Sequence, residues 1–394
     1  MTVKTKTFDH LVDEVSEQVT KWRRYLHENP ELSFHEENTS QFIYETLDSF
    51  DGIELSRPTK TSVVGRIIGK RPGKIIAIRA DMDALPIQEE NLSEYASKNP
   101  GVMHACGHDG HTAMLLGAAK VLSGLKEDIQ GEIRLLFQHA EELYPGGAEE
   151  MVQAGVMEGV DSVIGAHLWA PMPIGKIGVV YGPMMAAPDT FYITVKGKGG
   201  HAALPHQTVD SIAIASQIVT NLQHIVSRNT DPLEQLVVSV TKFTGGTTHN
   251  VIPGSVEILG TVRSFDSNIR QNVPKMMERV VKGITEAHGG DYEFSYEFGY
   301  RPVINDHKVT EVIENTILEV YGEETLDRMK PNMGGEDFSA YQQKAQGTFF
   351  YIGAGNKEKG AVYPHHHARF EIDEDALEKG VRIFVHGAFK LLDQ

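Results

Sequence analysis

The chain has 394 residues, 40% hydrophobic and 23% charged, the composition of an ordinary globular protein long enough for two domains. Thirty-seven Lys and Arg against 54 Asp and Glu leave a formal net charge of −17, a field that repels a phosphate backbone, and no basic run offsets it. A single cysteine excludes an internal disulfide, no apolar stretch reaches membrane-spanning length, and the first ten residues lack the apolar core of a signal peptide, so the expected setting is the cytoplasm, with neither nucleic acid nor membrane as partner.

Residues 9–28 read as a helix that stops at Asn29-Pro30. Short apolar runs at 63–68, 75–80, 133–137 and 160–164 read as buried strands, and helical spacing appears at 111–122 and 147–154. Strands alternating with helices predict an α/β fold, a mixed but mostly parallel sheet flanked by helices, with ligands expected at the carboxyl ends of the strands. Asp81 and Asp83, Glu141 and Glu142, and His167 all fall at such ends. From about Met185 the pattern changes to strand 190–196, helix 210–228, strands 236–241 and 256–262, helix 273–288 and strand 292–297, a β-α-β-β-α-β order that predicts an inserted ferredoxin-like α+β unit. A helix at 309–321, a strand at 349–352 and a last helix from Asp375 return to the first pattern. The expected domains are therefore 1–184 with 298–394, discontinuous, and 185–297, inserted. No internal repeat or low-complexity segment interrupts this order.

The densest chemistry lies in Met103-His104-Ala105-Cys106-Gly107-His108-Asp109-Gly110-His111, where the only cysteine stands among three histidines. In an extended stretch Cys106 and His108 would share a face and offer thiolate and imidazole to one ion. Buried cysteines often act as small core hydrophobes, but cores do not surround them with imidazoles and glycines. Glu141-Glu142 follows an apolar strand; if the chain turns there, one carboxylate can bind a cation while the other takes a proton from water. Most Glu-Glu pairs are merely solvated, and the flanking apolar run and Pro145-Gly146-Gly147 argue against that here. His167 supplies a further imidazole, and any of His365, His366 and His367 could supply another, a choice spacing alone leaves open. These ligands suffice for two ions, which favours hydrolysis. The loop Gly197 to Gly200 lacks the Lys-Ser/Thr helix start of a nucleotide site.

Arg24-Tyr25-Leu26-His27 with Pro30-Glu31-Leu32-Ser33-Phe34, then Arg79-Ala80-Asp81-Met82-Asp83-Ala84-Leu85-Pro86, the segment from Met103 to His111, Ala140-Glu141-Glu142, Asn250-Val251-Ile252-Pro253 and Gly335-Glu336-Asp337-Phe338 resemble the hippurate hydrolase and indole-acetyl-amino-acid hydrolase group, N-acyl-amino-acid amidohydrolases within the di-metal aminoacylase/carboxypeptidase superfamily. The motifs run in family order over nearly the whole chain. The resemblance implies a zinc-exopeptidase-like fold whose inserted domain serves as lid and homodimer contact. It implies two divalent ions per subunit, Mn²⁺ or Zn²⁺ with Ni²⁺ or Co²⁺ as alternatives, held by Cys106, His108, Glu142, His167 and His366, with Cys106 bridging. Glu141 would be the general base, His201 the donor to the developing oxyanion, and Asn250 and Arg263 the grip on the substrate carboxylate. Asp83 and Glu336 would orient ligands from behind. His139, Leu143-Tyr144-Pro145 and His367-Ala368 depart from the family pattern, which bears on acyl preference rather than on ligands or base. The expected activity is hydrolysis of an N-acyl amino acid to a carboxylate and a free amino acid. A di-metal dipeptidase or aminopeptidase is the competing enzyme, and a catalytically silent metal- or metabolite-binding protein the competing class.

Overall fold

The computed structural model describes residues 3–394, with side chains from Phe8 onward; Met1 and Thr2, part of the segment read for a signal peptide, lie outside the described residues. Backbone contacts divide the chain into two compact units, one formed by residues up to Met184 with Val303–Pro331 and Asp337–Gln394, the other by Met185–Pro302 with Asn332–Glu336. The second unit thus runs past residue 297 and takes in a short returning segment, Glu336 included. Among the described residues no helix is long and apolar enough to cross a membrane.

The first unit is built on an eight-stranded sheet in the order Glu54–Ser56, Val63–Ile68, Gln130–Gln138, Arg71–Asp81, Ser162–Pro173, Gln346–Gly355, Ile177–Val179 and Leu326–Arg328. Its four middle strands are parallel, as the near-continuous apolar runs predict. From Arg71–Asp81 the chain lays its next sheet strand, Gln130–Gln138, on one side and then Ser162–Pro173 on the other, a topological switch that leaves a crevice at the carboxyl ends. Register places Asp81 beside Gln138 and His167 beside Tyr351 at that edge.

Helices His108–Gly124 and Asp375–Leu392 pack on this sheet, and Val3–Glu28 packs on both of them. Ile383, Phe384 and Val385 of Asp375–Leu392 are essentially fully buried, each burial contributing about 1.5–3 kcal/mol. Helix Glu37–Asp48, buried through Ile43 and Leu47, opens on a polar run that hides it from the sequence pattern. Helix His108–Gly124 begins three residues before the expected 111, so His108 is helical rather than extended.

The second unit is an antiparallel sheet in the order Leu236–Thr244, Ser255–Ser264, Ala187–Lys196 and Asp291–Glu297, with helices Ser211–Arg228 and Ser267–Ala287 packed on it. Its strands alternate buried with exposed positions, and Phe191, Ile193, Val195, Val256 and Ile258 meet Ile214, Ile218, Val273 and Met277 in a separate core. Helix Ser267–Ala287 starts six residues before the expected 273, capped by Asp266 on Ile269 N at 2.8 Å, with Pro274 inside it rather than at its start.

Candidate metal centre

Three local devices bring the candidate ligands to one edge of the first unit. Gly107, at φ 92°, turns the chain from Cys106 into helix His108–Gly124, so these two side chains converge through a left-handed turn and a helix start instead of through strand alternation. After the strand Gln130–Gln138, Ala140 at φ 49° redirects the chain, and Glu141 and Glu142 both reach the neighbourhood of His108. His366 sits at φ 63° with its N–H on Ala105 O at 2.8 Å, which ties the histidine triplet to the cysteine segment. His167 comes from within the strand Ser162–Pro173.

The donor atoms form two groupings that share one sulfur. Those of Cys106, His108 and His167 lie within 4.8 Å of one another, and so do those of Cys106, Glu142 and His366. Cys106 Sγ is 3.5 Å from His167 Nε2, and Glu142 Oε1 is 3.0 Å from His366 Nε2. Hydrogen bonds fix the imidazoles in the tautomer that ligands need. His108 Nδ1 lies 3.0 Å from Asp83 O and 3.1 Å from Asp83 Oδ1, and His167 Nδ1 lies 2.8 Å from Leu168 O. Those oxygens only accept, so each Nδ1 donates and each Nε2 keeps its lone pair for the cluster. His108 Nε2 and Glu142 Oε1 are buried without a hydrogen-bond partner; the short approach of His366 to Glu142 is a convergence of two atoms rather than a well-aligned hydrogen bond. Buried polar atoms are seldom left so, and a set of sulfur, nitrogen and oxygen donors around one volume fits divalent cations.

In the absence of a cation, electrostatics favour the protonated forms of two of these groups. Burial, followed by the charges of Glu142, Glu141 and Asp81, pushes the Cys106 thiol well above its ordinary range. Burial alone would lower His108, but Asp81, Asp83 and Glu142 overbalance it and push the imidazole up to about 10. Burial and then the neighbouring His111 and His365 hold His167 well below the usual imidazole range. A divalent cation reverses the first two tendencies, since it favours thiolate and neutral imidazole.

A family model described as peptidase family M20/M25/M40 matches residues 77–389. The chain belongs to this family. Over 295 residues it is 72% identical to the N-acyl-L-amino acid amidohydrolase of Geobacillus stearothermophilus, covering 75% of this chain and 80% of that one. It is 44% identical to thermostable carboxypeptidase 1 of Saccharolobus solfataricus over 94% of each chain. The solved structure of the Bacillus subtilis YxeP protein, described as a dinuclear metal binding peptidase of the M20 family, superimposes with a TM-score of 0.85 at 37% identity, covering 97% of this chain and 99% of that one.

In this M20 chain the remaining expected site residues divide between the units. Asp83 is fully buried behind His108, and besides that ring it accepts Ser33 Oγ at 2.7 Å and Glu142 N at 3.0 Å. Burial opposes its ionisation, but these partners hold it below the usual carboxylate range. His201, Asn250, Arg263 and Glu336 all belong to the second unit. His201 pairs with Val251 in a two-stranded ribbon, so His201 and Asn250 are neighbours, both exposed. Arg263 is half-buried and donates to Met333 O at 3.1 Å, Val262 O at 3.1 Å and Thr261 Oγ1, all neutral acceptors. Glu336 is buried in the returning segment.

A further supporting layer lies behind these residues. Asp81 accepts His111 Nδ1 at 2.6 Å and Arg79 at 2.7 Å, while His111 Nε2 accepts Leu168 N at 2.8 Å and so fixes the strand just past His167. Arg79 also reaches Asp337 at 2.9 Å, and Asp337 takes Gln138 Nε2 and Ala148 N. The signal was the alternation Arg79, Asp81, Asp83 at a strand end, which puts three charged residues on one face. His365, left open in the triplet, packs its ring on His167 and Trp169 and approaches Cys106 Sγ to 3.9 Å.

Proposed function

We propose that this M20 chain is a metal-dependent amidohydrolase that cleaves N-acyl amino acids into a carboxylate and a free amino acid. The carrying observation is the pair of donor groupings that share Cys106 Sγ, with a His108 Nε2 freed by its bond to Asp83. Cys106, His108 and His167 would hold one divalent cation and Cys106, Glu142 and His366 a second, with manganese or zinc first in line and nickel or cobalt as alternatives. When bound, the ions polarise the amide carbonyl and make water more acidic.

Glu141 takes a proton from water as its oxygen adds to the amide carbon, then returns that proton to the nitrogen as the C–N bond breaks. Asp83 and Leu168 O keep His108 and His167 in the ligand tautomer throughout. In the second unit, His201 would donate to the developing oxyanion, and Asn250 and Arg263 would hold the amino acid's carboxylate. Arg263 suits this because its bonds go to neutral oxygens, which leaves its charge for an incoming anion. Glu336 would support the ligands from the returning segment, and the inserted unit would serve as lid and dimer contact in a cytoplasmic enzyme.

The two named relatives favour one substrate logic, since an N-acyl amino acid is the smallest carboxypeptidase-like substrate: an amide followed by a free carboxylate. A dipeptidase or aminopeptidase would instead need a free amine. The test follows amine release from N-acetyl and N-benzoyl amino acids, their carboxamides and free dipeptides after loading with each metal. The account expects turnover of the N-acyl acids and at least about tenfold loss on masking the carboxylate, the cost of one charge-assisted contact. Faster cleavage of free dipeptides would overturn the substrate class.

A further inference from the structure

Among the described residues, Phe34 at φ 67°, Ala140 at φ 49° and His366 at φ 63° are the non-glycine positions with a left-handed backbone. L residues persist there only where the surroundings over-determine them. One carboxylate does this for the first two. Glu36, with no exposed surface, accepts the Phe34 N–H at 3.0 Å and the Ala140 N–H at 2.8 Å on the same oxygen, Oε1. Its other oxygen accepts Thr61 Oγ1 at 3.0 Å.

Glu36 stands just before helix Glu37–Asp48, where a polar side chain usually caps the helix, yet it makes no capping bond and turns inward instead. Burial, with the nearby charge of Asp83, pushes it up to about 7 although three donors favour its ionised form. Such a group is costly to keep for packing alone.

Ala140 is the residue through which the strand passes into Glu141-Glu142. In a continuing strand these two carboxylates would face opposite ways, but with Ala140 left-handed both gather with His108. The neighbouring carboxylate Asp83 takes the next alternate amide, Glu142 N, together with Ser33 Oγ. Two buried carboxylates thus pin residues 33–34 beside residues 140–142.

We propose that Glu36 is a positioning residue for the hydrolytic reaction: its carboxylate holds the Ala140 peptide in its left-handed turn and thereby aims Glu141 and Glu142 into one cluster. This rests on the reading of Glu141 as base and Glu142 as ligand. The test compares Glu36→Ala with Glu36→Gln by amide hydrogen exchange at Phe34 and Ala140 and by kcat and KM. In Glu36→Ala both amides should exchange at least about tenfold faster, as expected for loss of a charge-assisted hydrogen bond. Its kcat should fall on the order of a hundredfold with KM little changed, the size of effect that misplaced reacting groups produce. Glu36→Gln keeps a neutral acceptor on Oε1 and an amide that can donate to Thr61 Oγ1, and should recover both readouts.

Should Glu36→Ala fail to fold, Glu36→Gln still decides: it should keep the protection of both amides and the kcat of the unmutated protein. A Glu36→Gln protein with both amides protected and kcat lost, or faster exchange in Glu36→Ala with an unchanged kcat, overturns the proposal. Glu141→Ala measured alongside separates the two ideas, because near-normal turnover there removes the base assignment and leaves the exchange result standing.

Discussion

Helix His108–Gly124 opens with two adjacent residues that serve unlike clusters. Asp109 enters a buried ionic group in which Arg23 Nε reaches Asp109 Oδ2 at 2.8 Å, His27 Nδ1 reaches the same oxygen at 2.7 Å, and Arg23 also meets Glu371 at 2.8 Å and Glu374 at 3.3 Å. His27 Nε2 closes the far side on Glu89 at 3.1 Å. With Arg24, which meets Glu374 at 2.5 Å, three cations face four carboxylates there, and Asp109 Oδ1 is the oxygen left over. His108 enters a group with Cys106, Glu141, Glu142 and Asp81 in which carboxylates gather round its ring, and its Nε2, 3.9 Å from Glu142 Oε1, has no hydrogen-bond partner. Both clusters are buried and charged, so burial and charge do not separate structure from function. What separates them is whether the protein's own side chains satisfy one another. His104 lies near both, with neither ring nitrogen paired, and burial pulls it down to about 4.

That contrast can be broken at either cluster. Glu141→Ala should keep its metal and lower kcat by about a thousandfold or more, as loss of a general base does, and a near-normal rate would remove Glu141 from the mechanism. Arg23→Met should do the reverse: strand the charge of Asp109, cost about 3–5 kcal/mol in chemical denaturation and leave metal content per folded molecule unchanged. If metal content falls with stability, the clusters are not independent. Cys106→Ala should weaken metal binding by more than the about 10- to 100-fold typical of an outer partner, while the stability of the metal-stripped protein changes little. A large loss of stability without metal would make Cys106 a core residue instead.

The smallest effect is a pH dependence. Burial and Arg23 push His27 down, but Asp109 and Glu89 prevail and hold it at about 9, above the ordinary 6.5. Protonated His27 is thus favoured by folding, so its contribution is complete below about 6.5 and is lost as pH rises through about 9. The stability gap between wild type and His27→Gln should therefore shrink over that window; a gap that widens contradicts the pairing.

Sequence pattern carried the architecture because a parallel sheet buries its strands on both faces and writes them as apolar runs bounded by turns, as in 75–80 and 133–137. The β-α-β-β-α-β order that follows was legible through its change to alternating strands. Helix ends were less so. Asp266 caps a helix that Pro274 disguises, and Gly107 hides the fact that His108 is helical. The candidate ligands were visible because thiol, imidazole and paired carboxylates cluster in short motifs. Beyond Asp83 their supports were not, since Glu36, Ser33 and Asp337 act through long-range bonds to Ala140, Asp83 and Arg79 that no local spacing encodes.

The most direct measurement of the central claim is a crystal structure of the manganese-loaded protein with anomalous scattering to place the metal. The account predicts two ions about 3.5 to 4 Å apart, with Cys106 Sγ between them, His108 and His167 on one and Glu142 and His366 on the other. A single ion, or two ions that do not share Cys106, would contradict it.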